Sequence, residues 1–131
     1  MIANMQEGFV ALISIVVIST VALGIAVSIS LLGVGEARSA LDFKKGNETL
    51  KIAEGCIEES LLRLRDNANY TGGSLNVGDG SCAITISDTG ADRTIDVEAE
   101  ITTPVDYIRN IRVTVKRVGN SINVVSWQEM E

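Results

Sequence analysis

The spacing of apolar residues changes twice along the chain, and each change predicts a different element. From Phe9 to Gly35 nothing is charged, and the residues are apolar or small throughout (FVALISIVVISTVALGIAVSISLLGVG). At about 1.5 Å per residue a helix here would reach roughly 40 Å, more than the ~30 Å hydrocarbon core of a bilayer. A secretory signal has a shorter apolar centre, about 7–15 residues, closed by a small-residue cleavage site. This run is longer and no strong Ala-x-Ala site closes it, so a membrane-spanning helix is expected. The β-branched residues Ile15, Val16, Val17, Ile18, Thr20 and Val21 disfavour helix in water. In lipid the backbone must bond to itself, and helix prevails. Ala22 and Ala26, with Gly24 and Ser28, set small side chains four apart. That spacing suits close helix–helix approach, although ordinary membrane helices share the composition.

The next stretch, EARSALDFKKGNETLKIAEGCIEESLLRLRDNANY, has a helical period. Leu50, Ala53, Ile57, Leu61 and Leu64 recur three or four apart and form one apolar stripe. Glu58, Glu59, Arg63 and Arg65 take the other sides, with Glu59 and Arg63 at a favourable i, i+4 spacing. Gly46 and Gly55 each cost about 1 kcal/mol against Ala, and a bend is expected near Gly46. Asn67 and Asn69 weaken the helix, and Gly72 and Gly73 are predicted to end it as turn residues. No Gly/Pro-rich or polar linker separates this amphipathic helix from the apolar one. Tethered receptor or enzyme domains usually have such a connection.

Beyond Gly73 the period falls to two. In CAITIS, Cys82, Ile84 and Ile86 share a face; in RTIDVEAEIT, Ile95, Val97, Ala99 and Ile101 point inward while Asp96, Glu98 and Glu100 point out. In NIRVTVKRV, Ile111, Val113 and Val115 oppose Arg112, Thr114 and Lys116. SINVVSW follows a hairpin turn at Gly119-Asn120. The turn signals VGDG, SDTGAD and TTPVD, the last around Pro104, separate these strands, and short connections imply antiparallel neighbours. The acidic face of the second strand should lie beside the basic face of the third.

The expected fold is α+β: a long N-terminal helix packed against an antiparallel sheet of about four strands. The core is drawn from Leu50, Ala53, Ile57, Leu61, Leu64, Ile84, Ile95, Val97, Ile111 and Val113. The segments are 1–8, a leader; 9–35, the apolar helix; 36–69, its amphipathic continuation; and 70–131, the sheet domain.

Composition narrows the function. The net charge of −6 disfavours nucleic acid as a partner. The chain has no histidine, which removes Ser-His-Asp and Cys-His nucleophile arrangements and the commonest transition-metal ligand. Two cysteines are too few for a usual zinc site. In a chain that looks exported, Cys56 and Cys82 are more simply a disulfide than two buried thiols. Such a bond would staple helix to sheet, with Cys56 at the edge of the apolar stripe. Flanking charge points the other way: Arg38, Lys44 and Lys45 follow the span and would favour a cytoplasmic C-terminal side. The cysteine pair decides for a domain outside.

Each remaining feature has a plain structural explanation. Glu54, Glu58 and Glu59 read as a solvated helix face. Asp79, Asp88 and Asp92 sit in Gly-rich turns without the spacing of a calcium loop. Asn47-Glu-Thr and Asn69-Tyr-Thr match the N-glycosylation sequon, a pattern common by chance. Tyr70, Tyr107 and Trp127 suit packing at the core edge better than a contact surface. No catalytic constellation, metal site, cofactor or small-molecule substrate is expected, and the chain is not expected to be an enzyme.

A short leader ending Gly8-Phe9, an uncharged helix, its amphipathic extension and a small antiparallel sheet together resemble a type IV prepilin. The resemblance implies that prepilin peptidase cuts between Gly8 and Phe9 and that the new N-terminal Phe9 is methylated. It also implies that the helix, with Phe9, Ile13, Ala22, Gly24, Ala26 and Ser28, assembles with other pilin subunits after anchoring in the cytoplasmic membrane. Most major pilins carry Glu four residues after the Phe, where this chain has Ile13. That departure is closer to minor pilins of the PilX or GspK kind, which KIAEGCIEESLLRLR also resembles. The leader MIANMQEG lacks the usual Lys or Arg. The implied role is a subunit that primes, caps or decorates a type IV pilus or a related secretion or DNA-uptake filament. The competing expectation is a single-pass anchored extracytoplasmic binding or sensor domain that does not polymerise.

Overall fold

The structure, a computed structural model, describes residues 2–103 and 105–130, so the proline of the expected turn at Pro104 lies outside the described residues. The element order is α1 (Ile2–Asp66), then β1 (Gly72–Val77), β2 (Gly80–Thr89), β3 (Asp92–Ile101), β4 (Tyr107–Val118) and β5 (Ser121–Met130). The fold is α+β, one long, largely apolar N-terminal helix packed against a five-stranded antiparallel sheet. The chain divides into two compact units, Met1–Leu41 and Asp42–Glu131, and α1 contributes to both.

Helical structure continues through Gly46 and Gly55, where each glycine costs about 1 kcal/mol but no interruption follows. The helix stops at Asp66 because the chain finds other partners. Asn67 N still makes the helical bond to Arg63 O at 2.8 Å, but beyond it Asn69 N donates to the Asn67 side-chain oxygen at 3.0 Å. This is the competition by which Asn side chains divert backbone donors from helix. Arg63 and Arg65 in the last turn complement the negative end of the helix dipole, and Arg117 Nη2 donates to the Arg65 carbonyl at 3.4 Å.

The sheet is a simple meander, β1-β2-β3-β4-β5, with every neighbour antiparallel. It has five strands where the sequence suggests about four. The added strand is β1, and Gly72 and Gly73, expected as turn residues, are its first two positions, paired with Thr85 and Ile84. Gly72 has φ +120°, and a Cβ there would sit 2.1 Å from the Ile84 carbonyl oxygen. Only glycine fits that crossing. Three hairpins turn on two residues led by Gly78, Gly90 and Gly119, with φ of 58°, 82° and 62°. A positive φ at the first central residue matches the right-handed twist of the strands it joins.

The core forms between the sheet and the second half of α1. Ile95, Val97, Ala99, Ile111, Val113 and Val115 are buried on one sheet face, against Ala53, Cys56, Ile57 and Leu64 of α1. Leu50 and Leu61 are half-buried and pack at its margin. Cys56 is 1% exposed, inside the packed face rather than at its edge. Two polar residues complete the helix face: Thr49 and Ser60 are both fully buried. Each hydroxyl is satisfied within the helix, Thr49 Oγ1 donating to Lys45 O at 2.9 Å and Ser60 Oγ to Cys56 O at 2.6 Å. A small polar side chain that bonds back one turn brings no unpaired donor into the core.

Candidate functional site

In the first unit, Gly8 and Phe9 lie within α1. A Cβ at Gly8 would meet nothing within 4 Å, and Phe9 and Ile13 are 65% and 48% exposed. The helix contains an 18-residue window of mean hydropathy 2.7, none of it buried. Ala22, Gly24, Ala26 and Ser28 are exposed as well. Exposed apolar surface on this scale marks a site of membrane or protein contact. Four hydroxyls in the segment are already spent on the helix itself. Ser14 donates to Val10 O, Thr20 to Val17 O, Ser28 to Gly24 O and Ser30 to Ala26 O, at 2.8–2.9 Å. Ser19 makes no such bond.

In the second unit, Cys56 and Cys82 form a disulfide that ties α1 to β2. Asp96 and Arg112, opposite one another on β3 and β4, form the expected cross-strand ion pair, bidentate at 2.7 and 3.2 Å. Further along the same strands Glu98 and Glu100 face Asn110 and Ile108 instead of basic residues. The carboxylate beside it raises the pKa of Arg112. Glu59 and Arg63 pair at 2.8 Å as their spacing suggests. Lys45 hydrogen-bonds Glu48 at 3.0 Å and holds its carboxyl below the ordinary 4.5.

Two contacts were not legible in the sequence. The Tyr107 hydroxyl donates to Asp42 at 2.7 Å, and that bond raises the tyrosine pKa above its ordinary 10.0. The second is Arg109, which pairs with Glu129 at 2.8 Å and lies over α1 at Gly46, where a Cβ would come within 3.4 Å of its guanidinium. Partners 65 residues apart leave no periodic trace.

The other candidates fall out separately. Asp88 pairs with Arg93 at 2.8 Å, and Asp79 sits exposed in the β1–β2 turn. Tyr70 packs against the core beneath Arg63, whose guanidinium lies 5.8 Å from the ring centre. Trp127, opposite Val113, leaves 45% of its surface in solvent. Among the described residues no three of His, Cys, Asp and Glu are grouped to hold a metal ion. A shallow hollow of about 400 Å³ on the outer sheet face is lined by Asp96, Glu98, Asn110 and Arg112. Its strongest charges neutralise each other.

The site with the clearest chemistry is therefore a surface, the bare apolar half of α1. Together with a disulfide-stapled helix-on-sheet module, it is consistent with a type IV pilin-like architecture. Comparison with protein-family models, with curated proteins and with solved structures gives no match.

Proposed function

We propose that the chain is a minor pilin or pseudopilin, a structural subunit that primes, caps or decorates a type IV pilus or a related secretion or DNA-uptake filament. The observation that carries this reading is that one helix, Ile2–Asp66, supplies both a bare, uncharged segment and the packed half of a folded core. Such a segment can anchor the subunit in the cytoplasmic membrane. Packed neighbouring helices can then replace the acyl chains on assembly, because helix association in lipid rests on close packing rather than on water. Prepilin peptidase would cut between Gly8 and Phe9. Ile13, standing where most major pilins have Glu, offers no carboxylate to a neighbour's N-terminal amine, which favours a minor position over repeated addition in a shaft. The sheet domain would lie outside the cytoplasm, where a disulfide persists.

N-terminal sequencing of the protein recovered from its own membranes tests the reading. A methylated Phe9 at the mature N-terminus is expected. An intact N-terminus upstream, or a cut far from Phe9, would overturn it in favour of an anchored domain that does not polymerise.

A further inference from the structure

We propose that Asn69 is an acceptor for an N-linked oligosaccharide and that Asn47, which carries the same Asn-x-Thr sequence, is not. The two sequons are equal in sequence and opposite in structure. Asn47 lies inside α1, and the hydroxyl of its Thr49 is fully buried and bonded to Lys45 O at 2.9 Å. A transferase reads the sequon through that hydroxyl and the acceptor amide together. In the folded protein neither the helical backbone nor the Thr49 side chain can be presented to it.

Asn69 stands in the opposite situation. It sits in the turn between the end of α1 at Asp66 and the start of β1 at Gly72. The turn is held from behind by the bonds of Asn67 to Asn69 N and Tyr70 N, at 3.0 and 3.1 Å. Tyr70 packs inward against the core, while Asn69 and Thr71 on either side of it are exposed. The acceptor amide and the sequon hydroxyl are thus both offered to solvent, and neither side chain makes a hydrogen bond within the described residues. The anchored side chain between them fixes the loop without covering it.

The chemistry is a group transfer. The Asn69 amide nitrogen attacks the anomeric carbon of an oligosaccharide carried on a polyprenyl phosphate or pyrophosphate. The bond from that carbon to the phosphate oxygen breaks, the lipid phosphate leaves with the electron pair, and one amide proton passes to a base of the transferase. No oxidant or reductant is needed. The inference requires the sheet domain to lie outside the cytoplasm, as the disulfide also does. It does not depend on filament assembly.

The test is peptide mapping of the reduced, full-length protein purified from its own cells. Trypsin separates the sequons, leaving Asn47 in the peptide 46–51 and Asn69 in the peptide 66–93. The expected result is a mass increase of whole sugar residues on 66–93, lost in Asn69→Gln and in Thr71→Ala, retained in Thr71→Ser and unaffected by Asn47→Gln. Retention by serine marks the hydroxyl requirement of a sequon, which a merely structural threonine would not show. An unmodified 66–93 peptide from protein whose cysteines are bonded would overturn the inference, as would sugar on 46–51. Mature N-terminal sequencing of the same sample reports separately on the pilin reading.

Discussion

The hydrogen bond from Tyr107 to Asp42 has a measurable signature. Because it favours the protonated phenol, the folded-state pKa lies above 10.0. The stability it contributes is fully present below that value and is lost as pH rises through the raised one. In a Tyr70→Phe background, the tyrosinate absorbance should therefore titrate above 10, and Asp42→Ala should bring it back toward 10. Gly72 offers a second test at this scale. Its φ and the nearness of Ile84 O leave no room for a side chain, so Gly72→Ala should destabilise by about 1–3 kcal/mol in denaturant unfolding. Single residues are also where sequence reading reached least far. Thr49 and Ser60 fall on the helical stripe with Ala53, Cys56 and Leu64, so their spacing could have placed them. Their polarity hid them, since nothing in a sequence announces a hydroxyl satisfied by its own helix.

At the scale of elements, the disulfide closes a sequence separation of 26. Loop-closure entropy gives such a bridge about 3–4 kcal/mol, and the Cys56→Ser, Cys82→Ser double variant should lose about that much in thermal or chemical unfolding. The helix face should behave as core: Ile57→Ala, at a fully buried position, should cost about 2–5 kcal/mol. Leu62→Ala, at 46% exposure, should stay within about 0.5 kcal/mol. The Asp96–Arg112 pair is 39% and 45% exposed, so a double-mutant cycle should return only about 0.2–1 kcal/mol. The hairpin turn at Gly119-Asn120 marked β5, none of whose positions is buried, while β2, β3 and β4 were legible from alternation because each has one buried and one solvated face. β1 was not: its sequence GGSLNV offers only Leu75 and Val77 to a period-two pattern, and its glycines are also turn formers. The packing of its neighbour, not its own propensity, makes it a strand.

For the whole molecule, the apolar period and its helical continuation were enough to give the fold class, because burial against a sheet and burial in lipid leave different marks on one helix. Whether the segment meets lipid or other helices leaves no such mark, since surfaces made for either use the same residues. The thiol chemistry bears on topology. Native protein should resist labelling at Cys56 and Cys82 until a reductant is added, and ready labelling would place the sheet domain in the cytoplasm. The back-bonded hydroxyls of Ser14, Thr20, Ser28 and Ser30 have one further consequence. These side chains have already discharged their polarity, so a move from fatty surroundings to a crowd of neighbouring helices severs none of their bonds. On the filament reading proposed above, that passage is symmetric for these four groups, and nothing in their bonding opposes its reversal.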